Sequence, residues 1–291
     1  MPNDFSLLDF DSLWKGRDKV SEIEKSVILD LIAGRKFKRV LEVGVGAGRI
    51  QEGLRSVSEN RFAVDLETRF LERVHLSDPG IVTVHADLHS MPFTKGYFDL
   101  ILMIRVLNFL KDAQNSIRIL TEYLKNGGLL IVSFYHYPSI AYLLDRFYSS
   151  TALGNGDRFP GAGMSRVYRS GFEEFFYRKM VIKKAGESCS LLMTGTVSTG
   201  LGDYKPFKYL PISTIRMLEK FTVHFSILPH IFARFQKNSS EPVIESQSPF
   251  SCEVCGTPFN SVPAESCAVK CIQCGSVLLN EKGIVTFHGN P

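Results

Sequence analysis

A chain of 291 residues with 44% hydrophobic and 22% charged content, Gly 23 and Pro 13, has an ordinary globular composition. That excludes collagen-like, coiled-coil and disordered classes and leaves room for one large α/β domain with a smaller module, or for two ordinary domains. The formal net charge of +4 is uneven: 19 Lys/Arg stand against 19 Asp/Glu in residues 1–153, 13 against 6 in 154–237 and 2 against 5 in 238–291, giving 0, +7 and −3. Either an anionic ligand meets the middle region, or these cations simply solvate helices. The apolar runs 100–110 and 222–235 each contain an arginine and fall well short of the roughly 20 residues a membrane helix needs. The opening MPNDFSLLDFDS is acidic and has no apolar core behind a positive end, so no secretory signal, no membrane span and a cytoplasmic location are expected.

In chain order, Ile23, Val27 and Leu31 recur at i, i+4, i+8 spacing and predict a helix ending near Gly34. From 39 to 134 short apolar runs alternate with helical patterns, as in a parallel sheet covered by helices. The expected strands are 39–43, 62–65, 81–84, 97–104 and 129–134. A helix over 112–124 shows Ile117, Leu120 and Leu124 on one face and stops at Asn126-Gly127-Gly128. Beyond Phe134, HYPSIAYLLDRFYSS is expected to be helical, GNGDRFPGAGMSR a Gly-rich loop, and SGFEEFFYRKMVIKKAG a helix closed by Gly186. The apolar runs 190–197 and 222–235, with a helix over 213–220 between them, complete the sheet on this reading. Residues 238–249, NSSEPVIESQSP, are polar, Pro-punctuated and aperiodic, the signature of a linker. No internal repeat is visible.

The first strand runs into VLEVGVGAGR, which places Gly44, Gly46 and Gly48 at a strand-to-helix turn. Glycine lets the backbone approach a ligand closely, and the following helix offers its amide end. A dinucleotide fingerprint wants its third glycine one position later, where Arg49 stands, so this G-x-G-x-G tilts away from a dehydrogenase. The second strand ends at Asp65 in FAVDLE, 21 residues after Gly44. An acidic group there is spaced to hydrogen-bond both hydroxyls of a ribose, with Glu67 as a substitute. Taken singly, the glycines serve a turn, Asp65 a helix cap and Asp87 a loop start; taken together at these spacings they favour cofactor binding.

The set VLEVGVGAGR, VDLE, ADLHSMPF, YFDLILMIRVLNFLKD and LKNGGLLIVSF closely resembles the class I S-adenosylmethionine-dependent methyltransferases of the type 11-like branch, with five motifs in order over residues 38–135. The resemblance implies a doubly wound Rossmann-like α/β sheet and S-adenosylmethionine as cofactor. It assigns Glu42, Gly44 and Gly46 to the methionine and ribose side, Asp65 to the ribose hydroxyls, and Asp87 with the Leu88 backbone to the adenine. Ile104 and Arg105 fall beside the sulfonium, although Arg105 departs from the small or neutral residue usual there. Asp99 is expected to brace the fourth strand instead.

Five of the six cysteines crowd the end of the chain. CEVCG at 252–256 and CIQCG at 271–275 put Cys252, Cys255, Cys271 and Cys274 in two Cys-x-x-Cys knuckles, four thiolates in the arrangement tetrahedral zinc prefers. Such a site is closed and structural, and in a module of about 40 residues the metal supplies folding energy. Cys267 is a buried or free thiol, or a competing ligand. The ending CGSVLLNEKGIVTF resembles small zinc ribbons that accompany methyltransferases, fused or as separate activating subunits. With an acidic segment, the ribbon is expected to pack on its own domain or on a partner protein rather than on nucleic acid.

The expected domains are a methyltransferase domain over 1–237 with an insert at about 138–185, a linker over 238–250 and a zinc ribbon over 251–291. The family places its acceptor pocket after the fourth and fifth strands and in the insert, here 105–109, 135–138 and 154–169. His136, between Tyr135 and Tyr137, is either a general base or part of an aromatic packing cluster. No Asn-Pro-Pro-Tyr-like tetrapeptide follows the fourth strand and no Pro-Cys nucleophile occurs, which argues against DNA base-amino and C5-pyrimidine chemistry. A small-molecule acceptor is expected; a tRNA- or protein-modifying enzyme and a non-catalytic cofactor-binding subunit are the alternatives.

Overall fold

A computed structural model describes residues 14–136, 139, 158–159, 164–169, 172–203, 207, 209–222, 228–238 and 248–289. In chain order its main elements are α1 (Asp18–Ile32), β1 (Phe37–Val43), α2 (Gln51–Leu54), β2 (Ser58–Asp65), α3 (Thr68–Ser77), β3 (Ile81–His85), β4 (Phe98–Met103), α4 (Ala113–Tyr123), β5 (Leu124–His136), β6 (Arg158–Phe159), β7 (Met164–Arg169) and β8 (Phe172–Tyr177). Then follow α5 (Lys179–Glu187), β9 (Leu191–Thr199), α6 (Ile212–Thr222), β10 (His230–Lys237), β11 (Ala268–Lys270), β12 (Val277–Glu281) and β13 (Ile284–His288). The chain divides into two compact units. One takes Met1–Gly34, Met103–Ile117 and Ile131–Phe235; the other takes Arg35–Leu102, Arg118–Leu130 and Gln236–Pro291.

In the second unit the strand order is β11-β12-β13-β3-β2-β1-β4. β1 and β2 run parallel from Phe37↔Ser58 to Val43↔Val64, and β2 and β3 from Arg61↔Ile81 to Asp65↔His85. Every residue of β4, FDLILM, is buried, the continuous apolar run of a strand covered on both faces. Asp99 in that strand accepts the Arg39 amide at 2.8 Å and pairs with Lys125, the bracing role expected of it. An edge-to-face cluster of Phe62, Phe93, Tyr97 and Phe98 fills the space beside it.

The C-terminal residues belong to the same unit. β11, β12 and β13 form an antiparallel meander, and β13 then pairs parallel with β3 at Ile284↔Thr83, Val285↔Val84 and Thr286↔His85. Ile284 joins Val45, Ala63, Leu71, Val74 and Ile81 in one buried cluster. The ribbon therefore packs on its own chain, and it does so by covering a sheet edge that would otherwise present unpaired backbone.

In the first unit α1 buries Val20, Ile23, Val27 and Leu31 on one stripe and ends at Ala33, whose left-handed φ of 51° lets its N–H reach the Asp30 and Leu29 carbonyls. The run 222–235 gives the strand β10, and β9 and β10 pair with each other and β10 with β5, so both late apolar runs do extend a sheet. Three expectations are corrected. FEEFFY is the strand β8, paired with β7 from Met164↔Tyr177 to Arg169↔Phe172 and with β5 at Tyr135↔Phe176 and His136↔Tyr177. Phe172, Phe175, Phe176 and Tyr177 are buried there; aromatic residues suit a pleated surface, and the helix begins only after the extended Arg178. Within the expected Gly-rich loop, 158–159 and 164–169 pair antiparallel as β6 and β7. Asn126, Gly127 and Gly128 lie inside β5 rather than after a helix, α4 having ended at Tyr123. The helix expected over 136–150 and the linker over 238–249 fall almost wholly outside the described residues.

Candidate functional site

The turn after β1 is built by geometry that only glycine adopts easily. Gly44, Gly46 and Gly48 have φ of 73°, 50° and 74°. The Gly44 and Val45 amides donate to the Val64 carbonyl at 2.8 and 3.3 Å, tying the turn to β2. A Cβ at Gly48 would lie 2.8 Å from Val74 Cγ2, so the turn is also pressed against α3.

Asp65, at the end of β2, joins this turn to the loop that follows it. Its Oδ2 accepts the Gly46 amide at 2.9 Å and its Oδ1 the Glu67 amide at 3.1 Å. Burial raises the Asp65 pKa above the usual carboxylate value, against the pull of backbone amides from Gly46, Glu67 and Leu66. Each oxygen can still accept a second hydrogen bond, as a ribose diol requires. One residue past the end of β3, Ala86 donates to the Asp65 carbonyl at 3.3 Å, which sets Asp87 and Leu88 just beyond. Asp87 Oδ1 accepts the His89 amide at 2.7 Å and meets His89 Nδ1 at 2.8 Å. It is thus a turn cap as well as an exposed acceptor, and Leu88 is buried beside it.

Glu42, at the end of β1, is 2% exposed. Burial pushes its carboxyl up to about 8, against a hydrogen bond from Gln51 and the charge of Arg49, with Asp65 adding to the rise. Glu42 therefore carries a proton near neutral pH. Gln51 Nε2 donates to Glu42 Oε2 at 2.7 Å, while its buried Oε1 has no hydrogen-bond partner. That orphaned acceptor beside a protonatable carboxyl fits a site awaiting a cationic donor such as an α-ammonium group. Sequence reasoning did not single out Gln51, and nothing in its spacing marks it.

Ile104 and Arg105 lie in the other unit. Ile104 is buried. Arg105 is a non-glycine residue at φ 61°, held there by its amide to Ser133 Oγ at 2.8 Å and by its guanidinium to Glu24 Oε1 at 2.7 Å through Nε and 2.5 Å through Nη2. Nη1 also donates to the Tyr135 hydroxyl at 3.3 Å, and the guanidinium lies 5.2 Å from the Trp14 ring centroid. The Arg105 charge is thus matched by a fully buried carboxylate, with His230 Nδ1 3.4 Å from the same Glu24 oxygen. The signal for Glu24 was legible: a charged residue on the Val20, Ile23, Val27, Leu31 face of α1 must have a partner.

His136 ends β5. Its amide donates to the Pro229 carbonyl at 2.7 Å, and its Nδ1 sits 3.2 Å from the Tyr177 carbonyl. A carbonyl only accepts, so Nδ1 carries the proton and Nε2 is the basic nitrogen. Burial lowers the ring's pKa, the Tyr177 carbonyl opposes that, and the charges of Lys179 and Arg178 reinforce it.

The four cysteines of the two knuckles converge. Their sulfurs all lie within 4.8 Å of one another, with Cys252 to Cys274 at 3.3 Å and Cys255 to Cys271 at 3.5 Å. A tetrahedron of thiolates about 2.3 Å from zinc has edges of about 3.8 Å, so the set fits a metal. The two knuckles repeat one backbone pattern: Gly256 donates to the Cys252 carbonyl and Gly275 to that of Cys271, at 2.8 and 3.0 Å. Both glycines take positive φ, 73° and 78°. Cys267 is exposed and stands outside this cluster.

The raised Glu42 pKa gives a signed prediction. A neutral buried carboxyl is tolerated below its unfolded pKa and opposes folding as pH climbs toward 8, so stability should fall between about pH 5 and 8 by at most about 1.4 kcal/mol per pH unit. Denaturant unfolding across that range should show the slope in the native chain and a flatter profile in Glu42→Gln.

The family described as "Methyltransferase domain" matches residues 41–132. The ubiquinone/menaquinone biosynthesis C-methyltransferase UbiE of Vibrio vulnificus is 30% identical over 128 residues, which cover 41% of this chain and 49% of that protein. The chain spans half or less of the length of the curated relatives it matches. Among solved structures, an S-adenosylmethionine dependent methyltransferase from Mesorhizobium loti superposes with a TM-score of 0.51 at 15% identity, over 74% of this chain and 98% of that one. A chain from the complex between the Haloferax volcanii Trm112 methyltransferase activator and a candidate methyltransferase gives 0.54 at 13% identity, over 80% and 98%. Residues 41–132 thus match a methyltransferase-domain family, and the chain shares the α/β fold of solved S-adenosylmethionine-dependent methyltransferases.

Proposed function

We propose that the chain transfers a methyl group from S-adenosylmethionine, in line, to a small-molecule acceptor. The observation that carries this reading is the junction at Asp65, where one part-buried carboxylate receives the amides of the glycine turn and of the following loop and keeps lone pairs for a diol. In it, Asp65 accepts the ribose hydroxyls, Asp87 and the Leu88 backbone take the adenine, and Glu42, Gly44 and Gly46 face the methionine end. The bound cofactor supplies an electrophilic methyl on a sulfonium. The protein's part is alignment and exclusion of water, so no universal catalytic residue is needed. His136, with its proton fixed on Nδ1 and Nε2 basic, is the group we assign to accept a proton from a hydroxyl or amine acceptor. UbiE, named for quinone biosynthesis, supports a small acceptor. We also assign one zinc ion to Cys252, Cys255, Cys271 and Cys274, with no open position and a structural role.

Asp65→Asn keeps an acceptor for the Gly46 amide but removes the charge. Isothermal calorimetry with S-adenosylhomocysteine should show a loss of roughly 1.5–3 kcal/mol, a tenfold or greater fall in affinity; unchanged affinity would remove Asp65 from the ribose site.

Metal analysis of untreated protein should return one zinc per chain, and Cys271→Ser should abolish it. Protein isolated under reducing conditions with no metal would overturn the assignment.

The excess of 13 basic over 6 acidic residues in 154–237 favours one second reading, an RNA acceptor. A methyl-transfer screen of small acids and phenols should find the substrate, while bulk tRNA should not shift the protein at physiological salt. Tight tRNA binding that collapses with added salt, as many phosphate contacts would dictate, would reverse the order of the two readings.

A further inference from the structure

The loop that carries Asp87 and Leu88 is held at both of its ends by the cysteine module. At its entrance, β3 is covered by β13 through Ile284↔Thr83, Val285↔Val84 and Thr286↔His85, and Thr83 Oγ1 donates to the Gly283 carbonyl at 2.7 Å. At its exit, Phe93 stacks on the fully buried Phe250, with centroids 5.5 Å apart and planes 16° from parallel. There Thr94 N donates to the Pro249 carbonyl at 2.8 Å, Ser251 N to the Pro92 carbonyl at 3.0 Å, and the Thr94 and Ser251 hydroxyls meet at 2.8 Å. Only residues 86–91 lie between these anchors. Phe250 and Ser251 directly precede Cys252, and β13 follows Cys274 by way of β12, so the two anchors flank the two halves of the cysteine cluster.

From this arrangement we infer that the cysteine module is a positioning device for the nucleoside end of the cofactor site: Phe250, Ser251 and Ile284 fix the 86–91 loop, and the metal in the cysteines sets how well that loop holds an adenine base. The inference rests on the methyltransferase reading. The module has no large core of its own, so its internal order depends on the metal. Without that order neither anchor has a fixed counterpart, and β3 becomes an open edge. Binding linkage is reciprocal, so a nucleoside ligand must in turn tighten the metal site.

The seating can be loosened without touching a cofactor or metal residue. Gly283 has φ 81°, and a Cβ there would lie 2.2 Å from His75 Nε2. Gly283→Ala should therefore force the turn before β13, whose Gly283 carbonyl accepts from Thr83, or the His75 ring on α3 to shift, and Phe250→Ala should release the exit anchor, with Phe250→Leu restoring most of the packing. In full-length protein, at a temperature where circular dichroism shows each variant folded, S-adenosylhomocysteine and its hypoxanthine analogue, S-inosylhomocysteine, are titrated by calorimetry. Hydrogen exchange is followed in 84–94, with 37–46 as control. Expected are at least a tenfold weaker S-adenosylhomocysteine affinity in Gly283→Ala, in Phe250→Ala and in chelator-treated native protein, with recovery in Phe250→Leu. The preference for adenine over hypoxanthine should collapse, and exchange should rise in 84–94 but not in 37–46. Unchanged affinity, base preference and exchange after the metal has been removed would overturn the inference. Should native protein bind neither ligand, the cofactor reading fails, and the exchange comparison still decides whether the module holds the loop.

Discussion

A part-buried carboxylate that remains an acceptor ties the glycine turn after β1 to the loop after β2. Asp65 is desolvated, which works against its ionised form, and the amides of Gly46 and Glu67 return part of what burial removes. The Gly46 amide reaches it from a turn in which three glycines take left-handed φ, while the Glu67 amide comes from the loop after β2. Sequence, turn and charge are therefore linked: a side chain at any of the three glycines would strain the turn that presents the Gly46 amide to Asp65. Glu42 completes the arrangement. Burial is what chiefly leaves a proton on Glu42, and the charge of Asp65 adds a smaller push in the same direction.

The parts of this design that were legible in the sequence are those with local causes. The glycine turn, the strand-end acids and the parallel strands follow from residue spacing and apolar runs, and the four cysteines follow from knuckle spacing. What was not legible depends on partners distant in sequence. FEEFFY reads as part of a helix until β7 and β5 supply backbone partners on both sides. GIVTF reads as the end of a ribbon, and nothing local says that it will lie against β3, some 200 residues earlier. Gln51 is invisible for the same reason, since its meaning lies in the Glu42 carboxyl that it meets across the turn.

In the first unit the informative feature is an ion pair between the buried Glu24 and the part-buried Arg105. Glu24 and Arg105 bring together α1 and the end of the fourth strand's loop, and Arg105 accepts an unfavourable φ to make the contact. Burying two charges seldom adds net stability, but removing one partner leaves the other uncompensated. The pair therefore acts less as a source of stability than as a rule about register. With its guanidinium committed to Glu24 and the Tyr135 hydroxyl, Arg105 carries a charge that is matched within the fold.

The same reasoning changes the weight of the basic middle segment. Arg216 meets Asp30 at 2.7 Å and Glu219 at 3.4 Å. Arg234 gives its Nε to Thr194 Oγ1 at 2.9 Å and its Nη1 to the Leu31 carbonyl at 2.8 Å, and Lys237 donates to the Thr121 and Leu124 carbonyls at 2.8 and 2.7 Å. These cations are structural donors, spent on helix ends, strand edges and buried acids. Glu219 is their counterpart, wholly buried and accepting from the Thr199 hydroxyl and the Gly200 and Leu201 amides. Nucleic-acid affinity scales with the number of phosphates that surface cations neutralise, so each arginine turned inward subtracts from it. Among the described residues, the formal excess of +7 in 154–237 therefore includes cations whose charge is already committed to partners within the fold.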